Sequence, residues 1–253
     1  MTRTAPPGYD ELRIGGIWIV AHSAFTDAVR AAIAGGTLFA FAAHQPGARA
    51  LAGRGTAWAA TLPDGAGIVV RHSRHGGVLA PVTRDLFLWP TRAPTELEST
   101  LRLARSGVPC PELLAYVVYP AWGMLARADV ATRRLEGADL PDAWRAAHTA
   151  SEHAVIMEAV ATLLRQLHHA GAWHPDLNLK NVFIGRSANG RQAFVLDVDR
   201  MRFGEPRSRR IGRRNLDRLL RSARRWNADW NLGLDTARWL DPLAHDLATD
   251  GAA

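Results

Sequence analysis

The chain has 253 residues, enough to bury the core of one two-lobed fold or of two small domains, and 47% hydrophobic with 22% charged residues is ordinary globular usage. Its 31 basic against 24 acidic residues leave a net charge of +7, which favours phosphate-rich or otherwise anionic partners and disfavours a polycationic ligand. The single cysteine, Cys110, excludes an intrachain disulfide and a cysteine-cluster metal site, in keeping with a reducing compartment.

At the N-terminus no basic region precedes an uninterrupted apolar run, and Asp10, Glu11 and Arg13 come early, so no secretory signal is expected. The most apolar tract, 14–43, is broken by His22, Asp27 and Arg30 and falls short of a bilayer span, which points to a cytosolic or peripheral protein. The first half is strand-rich with Gly and Pro punctuation, and strands are predicted at 58–62 and 67–71. Gly53-Arg54-Gly55-Thr56-Ala57-Trp58 lies between two candidate strands. It suits either an ordinary turn or a loop covering nucleotide phosphates, with Gly53 and Gly55 its backbone elements. The only lysine in the chain is Lys180, far downstream, so a phosphate-anchoring cation in the first half has to be an arginine. Arg71, ending strand 67–71, is the candidate, with Arg74 next. Glu96 opens a helical stretch through Ala104 and is the acid expected to position Arg71, with Glu98 as competitor. Either is equally readable as a helix-start acid favoured by the dipole.

The second half is helix-rich. Residues 151–170 read as an amphipathic helix with Val155, Ala159, Leu163, Leu164 and Leu167 on one stripe, Ser151 as N-cap and Gly171 as the stop. The polar loop His174-Pro175-Asp176-Leu177-Asn178-Leu179-Lys180-Asn181 follows. Val182-Phe183-Ile184 and Ala193-Phe194-Val195-Leu196, separated by a turn containing Asn189-Gly190, predict a β-hairpin. A hairpin returns the chain to its start, so Asn181 before it and Asp197 after it, sixteen residues apart, should lie side by side. An Asp, an Asn five residues on and a later strand-ending Asp form the catalytic skeleton of a kinase-type phosphotransferase. The first carboxylate can accept a hydroxyl proton, while the amide oxygen and the second carboxylate are hard oxygen ligands suited to magnesium. Singly, each of the three is an ordinary turn former or strand start. His174 is better read as a brace of the loop than as a proton carrier.

Eleven arginines fall between 200 and 225. Within that interval 212–226 is predicted helical, with Leu216, Leu219, Leu220, Ala223 and Trp226 on one face. That face can pack on the protein or meet an anionic membrane. No recognition motif interleaves the arginines, so nucleic acid is not an expected partner. No internal repeat or long low-complexity linker is visible.

These motifs resemble the lipopolysaccharide core kinase family over about 53–225: Gly-Arg-Gly-x-Ala-Trp at Gly53 to Trp58, Val-x-Arg-His-x-Arg at Val69 to Arg74 with Gly76-Gly77, Glu96, the loop His174 to Asn181, and Asp197-x-Asp199-Arg200. The resemblance implies an α+β, bilobal protein-kinase-like fold. A small, mainly β nucleotide-binding lobe with an N-terminal extension would occupy 1–134, and a larger, mainly α lobe with catalytic loop, metal site and basic helix 135–253. It implies transfer of the ATP γ-phosphoryl group to a sugar hydroxyl of the lipopolysaccharide inner core, above all the 4-hydroxyl of 3-deoxy-D-manno-octulosonic acid (Kdo) attached to lipid A. Asp176 would be the catalytic base, Asn181 and Asp197 the Mg2+ ligands, and Arg71 the phosphate anchor. The expected partners are an anionic glycolipid of the Kdo-lipid A type and the cytoplasmic face of the bacterial inner membrane, met peripherally. Pro175 and Lys180 depart from the usual kinase loop, and Asp199 replaces its usual glycine, a replacement the family shares. The alternatives are an aminoglycoside- or choline-type phosphotransferase on the same fold and a non-catalytic, membrane-associated pseudokinase.

Overall fold

The computed structural model describes residues 5–51, 57–73, 87–88, 91–121, 123, 125–187 and 190–235. The chain divides into two compact units, Met1–Leu97 with Glu112–Arg134, and Glu98–Pro111 with Leu135–Ala253. A single cut after residue 134 puts 98–111 in the first lobe; it belongs to the second unit because Leu103 and Val108 are buried in that unit's core.

In the first unit, β1 (Tyr9–Ile14) and β2 (Ile17–His22) form a hairpin, followed by α1 (Thr26–Ala32) and α2 (Leu38–His44). Then come β3 (Arg49–Leu51), β4 (Ala57–Thr61), β5 (Gly67–His72), β6 (Phe87–Leu88), β7 (Leu113–Pro120) and β8 (Leu125–Arg133). Among the described residues these strands make one sheet in the order β1-β2-β7-β8-β5-β4-β3, with β6 also on β8, and every pairing is antiparallel. β7 is buried continuously from Leu113 to Val118, as an inner strand should be. β5 alternates instead. Ile68 and Val70 enter the core with Leu38 and Val29, and the pleat turns Val69 and Arg71 to the opposite face.

A buried polar knot fastens α2 to this sheet. Thr37 Oγ1 caps the helix by accepting from Ala40 N at 3.1 Å, Tyr119 Oη accepts from Leu38 N at 2.8 Å, and Asp129 Oδ2 accepts from Phe39 N at 2.9 Å. Asp129 is fully buried and its other oxygen is paired with His72, whose ring stacks on Phe39 at 3.9 Å between centroids. Burial, with the Asp129 charge beside it, raises the pKa of the Tyr119 hydroxyl, which stays protonated.

The helix α3 (Ala93–Arg105) carries Glu96 in its first turn. The second unit continues with β9 (Gly137–Asp139), α4 (Leu140–Ala146), α5 (Ala150–His169), β10 (Ala172–Trp173), β11 (Val182–Ser187), β12 (Gly190–Val195), β13 (Arg202–Phe203) and α6 (Arg209–Trp230). Its small sheets run β12-β11-β9 and β10-β13. Among the described residues no helix is long and apolar enough to cross a membrane.

Two helices differ in detail from the sequence expectation. α5 is capped by Thr149, not Ser151: Thr149 Oγ1 accepts from Glu152 N at 3.2 Å while the Glu152 carboxylate accepts from Thr149 N at 2.9 Å, a reciprocal capping box. Hydrogen bonds from His148 N, Thr149 N and Thr149 Oγ1 hold the Glu152 carboxyl below its ordinary pKa. The buried stripe is Ile156, Val160, Leu163, Leu164 and Leu167, and Val155 is 47% exposed. The stop at Gly171 stands: its φ is +59°, and a Cβ there would lie 2.5 Å from Glu205 O. α6 is longer than 212–226 at both ends. Its apolar face is packed, with Leu216, Leu219 and Ala223 buried, so that face is used by the protein core.

Candidate active site

In the first unit, Arg71 Nη2 donates to Glu96 Oε1 at 2.5 Å, with the arginine side chain 28% exposed and the glutamate 5%. The ladder explains where the arginine comes from: Arg71 sits between Ala57 of β4 and Val130 of β8, so the strand holds its backbone and the ion pair holds its end. Glu98, the competing acid, is exposed in the part of α3 that belongs to the second unit. Gly53, Gly55 and Arg74 lie outside the described residues.

In the second unit the loop after β10 is built on His174. This residue is buried; its N–H donates to Asn215 Oδ1 at 3.0 Å, and its ring bridges the chain in two directions. Asp176 N donates to Nδ1 at 3.1 Å, which makes Nδ1 the acceptor, so Nε2 carries the hydrogen and donates to Leu196 O at 2.9 Å. Burial lowers the His174 pKa, opposed by the bond to Leu196 O and the charges of Asp197, Asp176 and Asp199, so the ring is held neutral as a brace. Leu177 N closes a turn on His174 O at 3.3 Å with Pro175 in second place, where its fixed φ is favoured.

Asp176 leaves this turn with its side chain partly exposed, and its carbonyl is held by two amides, Asn178 Nδ2 at 3.0 Å and Asn181 Nδ2 at 2.8 Å. Asn178 Oδ1 accepts from Lys180 N and Asn181 N at 2.9 and 3.2 Å, shaping the short helical turn Leu179–Asn181. Because Asn181 spends its NH2 on Asp176 O, its amide oxygen is turned away from the loop. The β11–β12 hairpin pairs Val182 with Val195, and Leu196 N donates to Asn181 O at 2.9 Å, so Asp197 follows directly on the residue bonded to Asn181. Asp197 adopts φ 58°, ψ 54°, a left-handed conformation uncommon outside glycine, and a turn through Val198–Arg200 follows. The Asp197 carboxylate and the Asn181 amide oxygen are hard donors of the kind Mg2+ takes, a cation that keeps water and phosphate oxygens in its shell.

Lys180 is committed within this unit: Nζ lies 2.7 Å from Asp139 Oδ2 and 3.6 Å from Asp142 Oδ2, which ties the loop to β9 and α4. Cys110 is half-buried and its thiol is pushed up to about 12 by desolvation, as fits a structural residue and not a nucleophile.

Three contributors from α6 were not read from the sequence. Asn215 Oδ1 takes the His174 N–H while its Nδ2 donates to Ala172 O at 2.8 Å; Ser222 Oγ accepts from Leu179 N at 3.1 Å; and Arg218 Nη2 lies 2.7 Å from Asp176 Oδ1. The available signal was Asn215 itself, an amide on the apolar stripe beside Leu216 and Leu219.

The solved structure described as WaaP in complex with acyl carrier protein matches this chain with a TM-score of 0.52 at 20% sequence identity, covering 90% of this chain and 98% of that one. The fold is thus the α+β, protein-kinase-like one. The profile of the lipopolysaccharide kinase (Kdo/WaaP) family matches residues 44–240, and the chain belongs to that family. The 3-deoxy-D-manno-octulosonic acid kinase of Xylella fastidiosa (strain 9a5c) is 32% identical over 174 residues, covering 67% of this chain and 66% of that protein. The protein of the same name from Haemophilus influenzae (strain PittEE) is 27% identical over 199 residues, covering 76% of this chain and 81% of that one. The match to the Xylella protein therefore spans just under two thirds of its length.

Proposed function

We propose that the protein transfers the γ-phosphoryl group of ATP to a hydroxyl of an acidic inner-core sugar of lipopolysaccharide, the 4-hydroxyl of Kdo on lipid A. The observation that carries this reading is the loop itself, with Asp176 partly exposed on a scaffold of side-chain hydrogen bonds and Asn181 joined to the residue before Asp197. Family membership and the relatives named Kdo kinase support the acceptor.

In this mechanism Asp176 orients the acceptor hydroxyl and takes its proton as the phosphoryl group moves. Asn181 and Asp197 would hold Mg2+, which neutralises charge on the β- and γ-phosphates when bound. Arg71, steadied by Glu96, would hold the α- and β-phosphates through its planar fork, with Gly53 and Gly55 covering them. Catalysis of this kind rests on positioning and charge neutralisation, which is why the loop is so heavily braced. The exposed arginines of α6, such as Arg213 and Arg224, would meet the anionic inner face of the bacterial inner membrane.

The test is to incubate the purified protein with ATP, magnesium and Kdo-lipid A and to locate the new phosphate by mass spectrometry. Phosphate on the Kdo 4-hydroxyl is expected. Transfer to an aminoglycoside or choline instead, or no transfer to any acceptor, would defeat the reading.

A further inference from the structure

Among the described residues, the side chains that hold the backbone of the catalytic loop are neutral: His174, Asn178, Asn181, Asn215 and Ser222. Arg218 is charged, and it meets a side chain of the loop instead of its backbone. Its guanidinium lies on the reacting carboxylate, Nη2 to Asp176 Oδ1 at 2.7 Å, with the arginine side chain 42% exposed and the aspartate 35%. Orienting a carboxylate needs only neutral donors, as Glu152 shows, its carboxylate accepting from His148 N, Thr149 N and Thr149 Oγ1. A full positive charge at that oxygen answers a different need: a second negative charge that arrives with the acceptor. Beside Asp176 alone an incoming anion would be repelled. Among the described residues no other acceptor pairs with Arg218, and its planar fork can grip a second carboxylate while keeping the first.

The surroundings extend the same field. One turn earlier on α6, Arg214 sits over the Trp173 ring at 5.0 Å, directly before the loop, and Arg202 lies over the same ring at 5.3 Å. Asn215 and Ser222 fasten α6 to the loop on either side of Arg218, so this arginine is held at the loop by the helix backbone and is not a roaming surface charge.

Resting on the function proposed above, we infer that Arg218 is an acceptor-binding residue: it holds Asp176 with one edge and the carboxylate of the acceptor sugar with the other, and so sets a preference for sugar acids over neutral sugars.

The experiment compares two acceptors, Kdo-lipid A and its Kdo methyl ester, with the parent, Arg218→Gln and Arg218→Lys, reading acceptor KM, kcat and ATP KM, with a thermal melt of each variant. The parent should favour the acid by on the order of 10- to 100-fold in kcat/KM, the range for one charge-assisted contact. Arg218→Gln should bring the two acceptors to within about threefold, mainly by raising KM for the acid, with ATP KM unchanged, and Arg218→Lys should restore part of the preference. The inference is overturned if Arg218→Gln lowers kcat equally on both acceptors and leaves the parent's ratio intact, since Arg218 then only positions Asp176. It is equally overturned if the parent uses acid and ester alike. A parent inactive on both acceptors defeats the underlying function and the inference with it.

Discussion

The two units hold their candidate site residues by opposite means. In the first, Arg71 is a strand residue flanked by ladder partners on both sides, and an ion pair to a buried glutamate holds its end. In the second, Asp176 sits in a loop held largely by side-chain bonds: a histidine, two asparagines within the loop, and an asparagine and a serine from a distant helix. In regular structure the ladder answers the backbone's polar groups, and the side chain is left to be held by its own ion pair. Irregular backbone buried beside a core must have its polar groups answered one by one.

The contrast predicts a large chemical effect and small structural effects in the loop of the second unit. Asp176→Asn removes the proposed base and almost no volume, so phosphoryl transfer should fall by about 10²–10⁴-fold while the melting temperature and ATP binding stay close to the parent's. Full activity in this variant would remove Asp176 from the mechanism. Asp197→Ala and Asn181→Ala each delete a proposed oxygen ligand, so turnover should be lost or the magnesium titration should move to higher concentration. An unchanged titration in both would place the metal elsewhere.

On the first unit, Arg71→Ala should weaken ATP use by about 2–5 kcal/mol in apparent affinity and turnover, the range for losing one partner of a desolvated charge pair. Arg71→Lys should recover only part, and Glu96→Gln should show a smaller loss in the same direction. Parent-like kinetics in Arg71→Ala would move the anchor, with Arg74 the next choice.

The neutral scaffold of the second unit is probed by Asn215→Ala, which strands His174 N–H and Ala172 C=O inside the core. A loss of about 2–3 kcal/mol in urea unfolding is expected. If stability is unchanged, the loop does not depend on α6. The smallest effect concerns pH. His174 has a folded-state pKa below its ordinary 6.5 because burial disfavours the imidazolium. The unfolded chain therefore binds the proton more readily, and this contribution to stability is present above pH 6.5 and lost as pH falls from there through the lowered folded value. Comparing melting temperature against pH for the parent and His174→Gln checks it: the parent should show the steeper decline on acidification.

Much of the site was legible because its signals are local. The β11–β12 hairpin follows from two strand-type runs in the sequence with Asn-Gly between them as a turn signal, and it brings Asn181 to Leu196. The choice of Arg71 followed from the absence of any other lysine than Lys180, and the fold gives that lysine to Asp139. The misplaced cap at Ser151 is also instructive. Ser151 and Thr149 both precede the apolar stripe, and only Thr149 has Glu152 three residues on to complete a capping box.

What the sequence by itself determined, then, is the set of candidate groups and their local frames, because helix period, turn chemistry and hairpin return act over a few residues. What only the tertiary structure decided is which distant side chains serve that frame. Asn215 reaches His174 across 41 residues and Arg218 reaches Asp176 across 42. Segment 98–111 joins the second unit through Leu103 and Val108. An arginine on the polar face of a basic helix looks like its neighbours until packing fixes the rotation of that helix. Burial of Leu216, Leu219 and Ala223 sets the rotation, and it is this that turns Arg218 toward Asp176 while Arg213 and Arg221 stay exposed.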